Sequence, residues 1–428
     1  MNKIKDIKEL RAFIIDLENK YNLLDYEIDG VKPWQLERVS IDYALSIQLG
    51  ILKNPHTALT KKQKILNSVQ TLKSFLFKNP FFAKEVDTLI FSHARVNQVD
   101  GQFIDIYTHY LEKELEEKNV KYLEVESPYI GQHLKEDKSW RYHKEFFLVL
   151  KNIFYKMVKI KETNFDILEK VEEEIEKKIG KFSLKTKLLT ATKKYKIEYY
   201  LYTRLLQKLK PKEVYVLVSY SGLGSLIKAA KDLGIEVIEL QHGNFSQYHF
   251  GYYFGEEKKE LDYFPDKFLV WNEYWKNLIN FPIKDNCIII REFDYMKHKR
   301  DKYQQIKSIK NRAVVLSQGA IGEKISKRIL DNWDYFQKFE LKYKLHPGEY
   351  DRWQTYPSLK ILSKKHNVEI ITATDLYALF SSCEYQVGVF STALSEGVEF
   401  GCKTILLDLP GVEEMSEFQK IYKIEAML

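Results

Sequence analysis

Two consecutive series of short apolar runs, spaced by stretches of helical periodicity, constrain this 428-residue chain more than any other feature. The first series begins at Thr88 with TLIFSH (88–93), a helix-like IDIYTHYLEKELEEK and KYLEVE (121–126). It resumes with EVYVLVSY (213–220), the turn and helix SGLGSLIKAAKDLG, and IEVIEL (235–240), which stops at Gln241-His242-Gly243. The second begins at PDKFLVWNEYWKNLI (265–279) and runs through CIIIREF, RAVVLSQGAIG (312–322), KYKLHPGE (342–349), VEIIT (368–372), YQVGVFST (385–392) and KTILLDLPG (403–411). Apolar runs alternating with helices spell parallel strands covered on both faces. The expected architecture is α/β, two Rossmann-like domains facing each other across a cleft, with ligands at the carboxyl ends of the strands.

Around these series the chain divides in three. Residues 1–85 carry apolar residues at helical spacing, for example Ile41, Ala44, Leu45, Ile47 and Leu49, and form a helical N-terminal extension. An N-terminal Rossmann-like domain follows at 86–262, with a charged helical insertion at about 136–210, and a C-terminal one occupies 263–428. A hydrophobic share of 45% supplies two cores. Three widely spaced cysteines (Cys287, Cys383, Cys402) exclude a disulfide framework and a cysteine zinc site. The first twenty residues have charges every few positions instead of an apolar signal region, and no run approaches a membrane span, so a cytoplasmic protein is expected. The net charge of +7 is concentrated in 181–212, where Glu198 alone opposes a dense run of Lys and Arg. That run is either a solvated amphipathic helix or a face for an anionic membrane surface. No nucleic-acid-binding module accompanies it, so no nucleic-acid partner is expected.

The second series places polar residues at successive strand ends. In FSTALSEGVEFGCKTILLD (390–408) a strand ends at Phe390, and Ser391-Thr392 opens a helix. The hydroxyls and free N–H groups of that first turn suit a diphosphate or phosphodiester. Glu396, one turn after Thr392, is placed to accept from ribose hydroxyls. The same residues also spell a Ser/Thr N-cap with a supporting Glu. Lys344-Leu345-His346-Pro347-Gly348-Glu349 ends a strand where the proline stops the ladder. His346 there either donates to a phosphate oxygen of the leaving nucleotide or is an ordinary hydrogen-bonding loop residue. Ser317-Gln318-Gly319-Ala320-Ile321-Gly322 follows another strand, with small residues that let backbone approach a ligand closely. Their coincidence on one sheet points to a donor-phosphate site of Ser317, Gly319, Lys344, His346, Pro347, Ser391, Thr392 and Glu396.

In motif order (glycine turn, K-x-H-P, then S-T-x-x-x-E), residues 210 to 415 resemble the C-terminal half of bacterial glycosyltransferases with the two-domain GT-B fold. Within that superfamily the His-Pro and Ser/Thr motifs are typical of sialyltransferases, polysialyltransferases and Kdo transferases, which use CMP-sugars, and of CDP-glycerol glycerophosphotransferases. The segment 219–252, ending IELQHGNFSQYHFGY, is similar to the strand–helix–strand–Gln-His-Gly element of capsule and surface-polysaccharide transferases. The resemblance implies that His346, Ser391 and Thr392 contact the nucleotide phosphates and Glu396 the ribose. It implies a glycosyltransferase that moves a sugar from a nucleotide donor to a hydroxyl of a capsule, lipooligosaccharide or other surface glycan or glycolipid. A CMP-linked nonulosonic acid such as sialic acid, or a related cytidine donor, is the expected donor. The enzyme alternatives are a CDP-glycerol or CDP-ribitol polyol-phosphate transferase and a UDP-sugar transferase. A non-catalytic nucleotide-sugar-binding assembly subunit is the alternative of a different class.

The relatives place their base in an acid-acid-Gly motif, whose nearest match here is Gln98-Val99-Asp100-Gly101. Asp100 either takes the acceptor proton or forms an ordinary Asp-Gly turn. His242 and His93, each at a strand end, compete with it, and Gln241 and Gly243 stand beside them on the acceptor side. The chain has no D-x-D pair and no P-loop, and SGLGSL lacks the third glycine of a dinucleotide fingerprint. No cofactor and no metal is therefore expected beyond the nucleotide sugar, with helix termini and His346 in the place of a cation.

Overall fold

The computed structural model describes the chain except residues 1–3, 53–60, 95, 100, 129–131, 162–163, 248, 258 and 373, and the side chains of 61–66. It divides into two compact units, Met1–Glu292 and Phe293–Leu428. No helix among the described residues is long and apolar enough to cross a membrane.

The first unit opens with three helices, α1 (Ile7–Tyr21), α2 (Pro33–Gln48) and α3 (Lys61–Phe77). Asp6 caps α1 by accepting from the Glu9 N–H, and Pro33 stands in the first turn of α2, where its missing N–H costs nothing. Then follow β1 (Thr88–Phe91), the hairpin strands β2 (Asn97–Val99) and β3 (Gln102–Ile104), α4 (His109–Glu117), β4 (Tyr122–Glu126), β5 (Arg141–His143), α5 (Glu145–Phe154), α6 (Asp166–Lys178), α7 (Leu184–Leu209), β6 (Glu213–Val216), α8 (Gly224–Asp232), β7 (Glu236–Leu240), β8 (Lys267–Val270), α9 (Glu273–Asn277) and β9 (Ile288–Ile290). The main sheet runs β5-β4-β1-β6-β7-β8-β9, parallel throughout. Counted in chain order within the sheet this is 3-2-1-4-5-6-7, the doubly wound order extended by one strand.

Two expectations change here. Lys267–Val270 and Ile288–Ile290 extend the first sheet beside β7, so the boundary lies at Glu292/Phe293 rather than at 262/263. The stretch 136–210 is not an insertion beside the sheet. It contributes the edge strand β5, and Leu201, Tyr202, Leu205, Leu206 and Leu209 of α7 join Leu123, Val125, Val214 and Val216 in one core. The basic run 181–212 meets acids: Lys185 pairs with Glu169, Lys187 with Glu37, Lys196 with Asp29, Lys210 with Glu85 and Lys212 with Asp87.

The second unit comprises α10 (Asp294–Tyr303), β10 (Ile309–Leu316), α11 (Gly322–Asp331), α12 (Trp333–Phe336), β11 (Glu340–Lys344), α13 (Pro357–Lys365), β12 (Glu369–Ile371), α14 (Leu376–Ser382), β13 (Cys383–Gly388), α15 (Thr392–Glu399), β14 (Lys403–Leu406), α16 (Ser416–Ile421) and β15 (Ile424–Met427). Its parallel sheet runs β12-β11-β10-β13-β14-β15, which in local numbering is 3-2-1-4-5-6, the Rossmann order. Ala313, Val314, Val315 and Leu316 are buried along β10, as a strand covered on both faces must be.

Candidate functional site

The strand order of the second unit reverses between β10 and β13, and such a switch point is where doubly wound sheets open a ligand crevice. Three loops meet there, at the carboxyl ends of β11, β10 and β13. Gln318, just after β10, donates from Nε2 to the carbonyl of Phe390 after β13, while its buried Oε1 has no hydrogen bond. On the other side, Gly319 backs onto His346: a Cβ at Gly319 would stand 3.1 Å from the imidazole Nδ1.

His346 begins a short turn, Pro347–Glu349. Its Nδ1 accepts from the Gly348 N–H at 3.1 Å, so the neutral ring carries its proton on Nε2, and the side chain is exposed. The brace of this loop is Glu349, fully buried, which accepts from the His346 N–H at 2.9 Å and from the Ser317 hydroxyl at 3.0 Å. Ser317 also lies 3.3 Å from the Tyr343 hydroxyl, so it supports the site instead of facing it. Lys344 is likewise engaged: its ammonium donates to the carbonyls of Thr372 (2.5 Å) and Leu345 (3.2 Å).

At the third loop Ser391 is the N-cap of α15, its hydroxyl accepting from the Ala393 N–H at 3.2 Å, and Thr392 is the first helical residue. Glu396 does not support the cap. Its carboxyl accepts from the Tyr377 hydroxyl, and burial pushes it up to about 7. The structure thus brings Gly319, His346, Pro347, Ser391 and Thr392 to neighbouring strand ends, and Gln318 and Glu349 are members that the sequence motifs contained without marking.

In the first unit Asp100 lies outside the described residues; its neighbours Asn97–Val99 and Gln102–Ile104 pair as an antiparallel hairpin. His93 and His242, after β1 and β7, do come together, with ring centroids 6.3 Å apart and Tyr107 edge-on to both. Gln241 is committed to backbone, donating to the Gly243 carbonyl (3.0 Å) and accepting from the Trp271 N–H (2.9 Å). Behind His242 stands Glu239, fully buried on β7, whose Oε1 accepts from Tyr252 (2.6 Å) and from the Ser219 N–H (3.1 Å). The Tyr252 hydroxyl lies 3.2 Å from His242 Nδ1, which links Glu239, Tyr252 and His242 in a chain. Burial raises Glu239 to about 7 and lowers His242 to about 3, with His249 and His93 adding to the latter. An acid inside the apolar run IEVIEL was the available signal for Glu239.

A second buried network crosses β4. Tyr122, Glu124 and Glu126 share the face opposite Leu123 and Val125, which enter the core. Lys135 and Arg141 both pair with Glu124 and outweigh its burial, holding it at about 2, whereas burial lifts Glu112 to about 8. Cavities of about 540 and 300 Å³ flank this network, and neither is lined by His93 or His242.

The chain thus belongs structurally to the α/β class, with two Rossmann-like units as expected from the sequence. It matches no protein-family model and no curated protein sequence. Among solved structures it is similar to UDP-GlcNAc 2-epimerase from Methanocaldococcus jannaschii, at 13% identity and a TM-score of 0.43, over 80% of this chain and 87% of that one. It is similar to UDP-GlcNAc 2-epimerase from Neisseria meningitidis bound to UDP-GlcNAc, at 14% identity and a TM-score of 0.40, over 74% and 81% of the two chains. A third is α,α-trehalose 6-phosphate synthase from Burkholderia multivorans, at 11% identity and a TM-score of 0.35, over 77% and 84%. At such identities and TM-scores nothing is argued from the likeness, and both fold and chemistry rest on this chain's own residues.

Proposed function

We propose that this protein is a glycosyltransferase whose second unit binds the nucleotide of an activated sugar, with a CMP-linked nonulosonic acid as the favoured donor. The observation that carries the reading is the meeting of Gly319, His346 and the Ser391-Thr392 helix start at the switch point of a 3-2-1-4-5-6 sheet. His346 supports it further, because the Gly348 bond leaves its Nε2–H as an exposed donor. That donor needs no titration to hold a phosphate oxygen as the sugar–oxygen bond breaks. The N–H groups of the α15 first turn add the positive end of a helix once Ser391 turns aside. In the first unit, His242 would take the acceptor proton at Nε2 and pass its Nδ1 proton to Tyr252, whose own proton moves to Glu239. A carboxyl poised near neutrality suits that terminal role better than a histidine lowered to about 3.

Thermal shift with CMP, CDP, UDP and GDP tests the donor class, since at equal concentration a ligand that binds the folded state more tightly stabilises it more. A shift with cytidine nucleotides is expected, and a shift with UDP alone would move the donor to a UDP-sugar. His346→Ala should lower donor turnover about 100-fold with the fold intact. An unchanged rate removes His346 from the site, and nucleotide binding without any turnover would make the chain a binding subunit.

A further inference from the structure

Glu126 and His143 are register partners at the carboxyl ends of β4 and β5, the edge at which parallel sheets receive ligands. The segment before β5 lays His133 over them, and one ligating atom from each of Glu126, His133 and His143 falls within 4.8 Å of the other two. The two imidazoles stack at 3.5 Å with planes 3° apart. Ser74 Oγ lies 2.9 Å from His143 Nδ1 and leaves Nε2 as the open atom, the way an outer partner orients a metal-binding imidazole. His133 stands between two carboxylates, Glu126 at 3.3 Å from Nδ1 and Glu145 at 2.7 Å from Nε2.

Two independent observations point to a cation. Glu126 Oε2 and Glu145 Oε2 have no hydrogen bond, although each side chain is only 2% exposed. Lys135 and Arg141 come no nearer than 3.9 Å to Glu126 Oε2 and are bonded to Glu124 instead. Buried carboxylate oxygens are ordinarily paired or metal-bound. The cavity of about 300 Å³ opens on Glu126, His133 and His143 and gives an ion a way in.

We propose that Glu126, His133 and His143, with Glu145 beside them, form a binding site for a divalent transition metal of the zinc class. Imidazole and carboxylate donors suit Zn²⁺ and Co²⁺. Two carboxylates and two neutral imidazoles around a divalent ion sum to zero charge, which a buried site requires. To take the ion the stacked rings must fan open about their soft terminal torsions until their in-plane lone pairs converge. The ion then faces the cavity on its remaining side, with a coordination position for water or a ligand. The site uses none of the residues assigned to nucleotide binding or to proton transfer, so it stands or falls apart from the transferase reading.

The test is metal uptake by the full-length chain after chelator treatment and dialysis. Calorimetry with Zn²⁺ should give one ion per chain, and Co²⁺ should produce the visible absorption of a low-coordinate nitrogen–oxygen site. His143→Ala and Glu126→Gln should each weaken Zn²⁺ binding by more than about 100-fold, and Ser74→Ala by about tenfold. Absence of stoichiometric uptake by the native chain overturns the proposal, as does unchanged binding in variants shown to be folded by circular dichroism. Should both ligand variants fail to fold, the imidazole resonances of the native chain decide: shifts of His133 and His143 on adding Zn²⁺ support the site, and unshifted signals overturn it.

Discussion

Glu349 and Glu239 are acids placed where water does not reach, and each has a different consequence. Glu349 joins the His346 loop to Ser317, and the space it occupies is that of the missing side chain at Gly322, whose Cβ would stand 1.6 Å from Glu349 Oε1. Gly322→Ala must displace a carboxylate held by two hydrogen bonds. A loss of about 1–3 kcal/mol is expected, read as a lower urea midpoint with an unchanged slope. Glu239 carries a pH signature. Its folded value of about 7, raised from 4.5 by burial, means that the native state binds more protons than the unfolded one between those values, so stability falls as pH rises from about 4.5 to 7. The full effect is about 3 kcal/mol. His242, lowered to about 3 by burial, acts oppositely and withdraws stability as pH falls below 6.5. Glu239→Gln should therefore gain stability relative to the native chain as pH rises through that window, and a constant native-to-variant difference from pH 4.5 to 8 refutes the assignment. Both acids lay inside quoted motifs, K-L-H-P-G-E and I-E-V-I-E-L, yet the sequence pointed to Lys344, His346 and Pro347 in the first and to Gln241, His242 and Gly243 just after the second. Residue type announces imidazole chemistry by itself, whereas the importance of a carboxyl depends on burial, which packing decides.

Among elements, strand positions followed from apolar runs because a strand covered on both faces needs nothing else: β1, β4, β6, β7, β8 and β14 lie within the runs that predicted them, while β10 and β11 begin two or three residues earlier. Sheet membership was less legible. Nothing in PDKFLVW says whether its partner precedes or follows it, and the hydrogen bonds from β7 to β8 settle that. Nor does a long charged helix reveal which stripe is buried until α7 is seen with Tyr202 and Leu205 inside. The N-terminal helices show the same dependence on distant partners. Arg38 of α2, 1% exposed, is bidentate to Glu18 of α1, donates to the carbonyls of Phe250 and Tyr253, and lies 3.5 Å over the Phe250 ring. It fastens α1 and α2 to the loop after β7. Removing one partner of a buried pair leaves the other charge uncompensated, so Arg38→Ala should cost about 3–5 kcal/mol. Pairing it with Glu18→Gln should recover part of that loss in a double-mutant cycle, and additive effects would deny the coupling.

At the scale of the whole chain, one construction principle appears twice, since both sheets start at a central strand, build outward through two more, and return to the other side. In each, sequence-derived residues gather where the order reverses or beside it: His93 after β1 in the first, Gly319 and Ser391 in the second, where Gln318 joins them. The second sheet needs no strand from the first, and its strands and helices supply their own buried set, including Ile325, Leu341, Tyr343, Leu359, Phe380, Val387 and Ile405. A segment with a complete sheet and its own core is a domain in the thermodynamic sense. Residues 293–428 expressed alone should therefore unfold in one cooperative transition, and any nucleotide found to stabilise the full chain, as the proposed function expects, should raise the midpoint of this fragment as well. Because Gly319, His346, Ser391 and Thr392 all belong to it, a fragment that folds cooperatively yet ignores any nucleotide recognised by the full chain would show that the proposed phosphate site is incomplete in these residues.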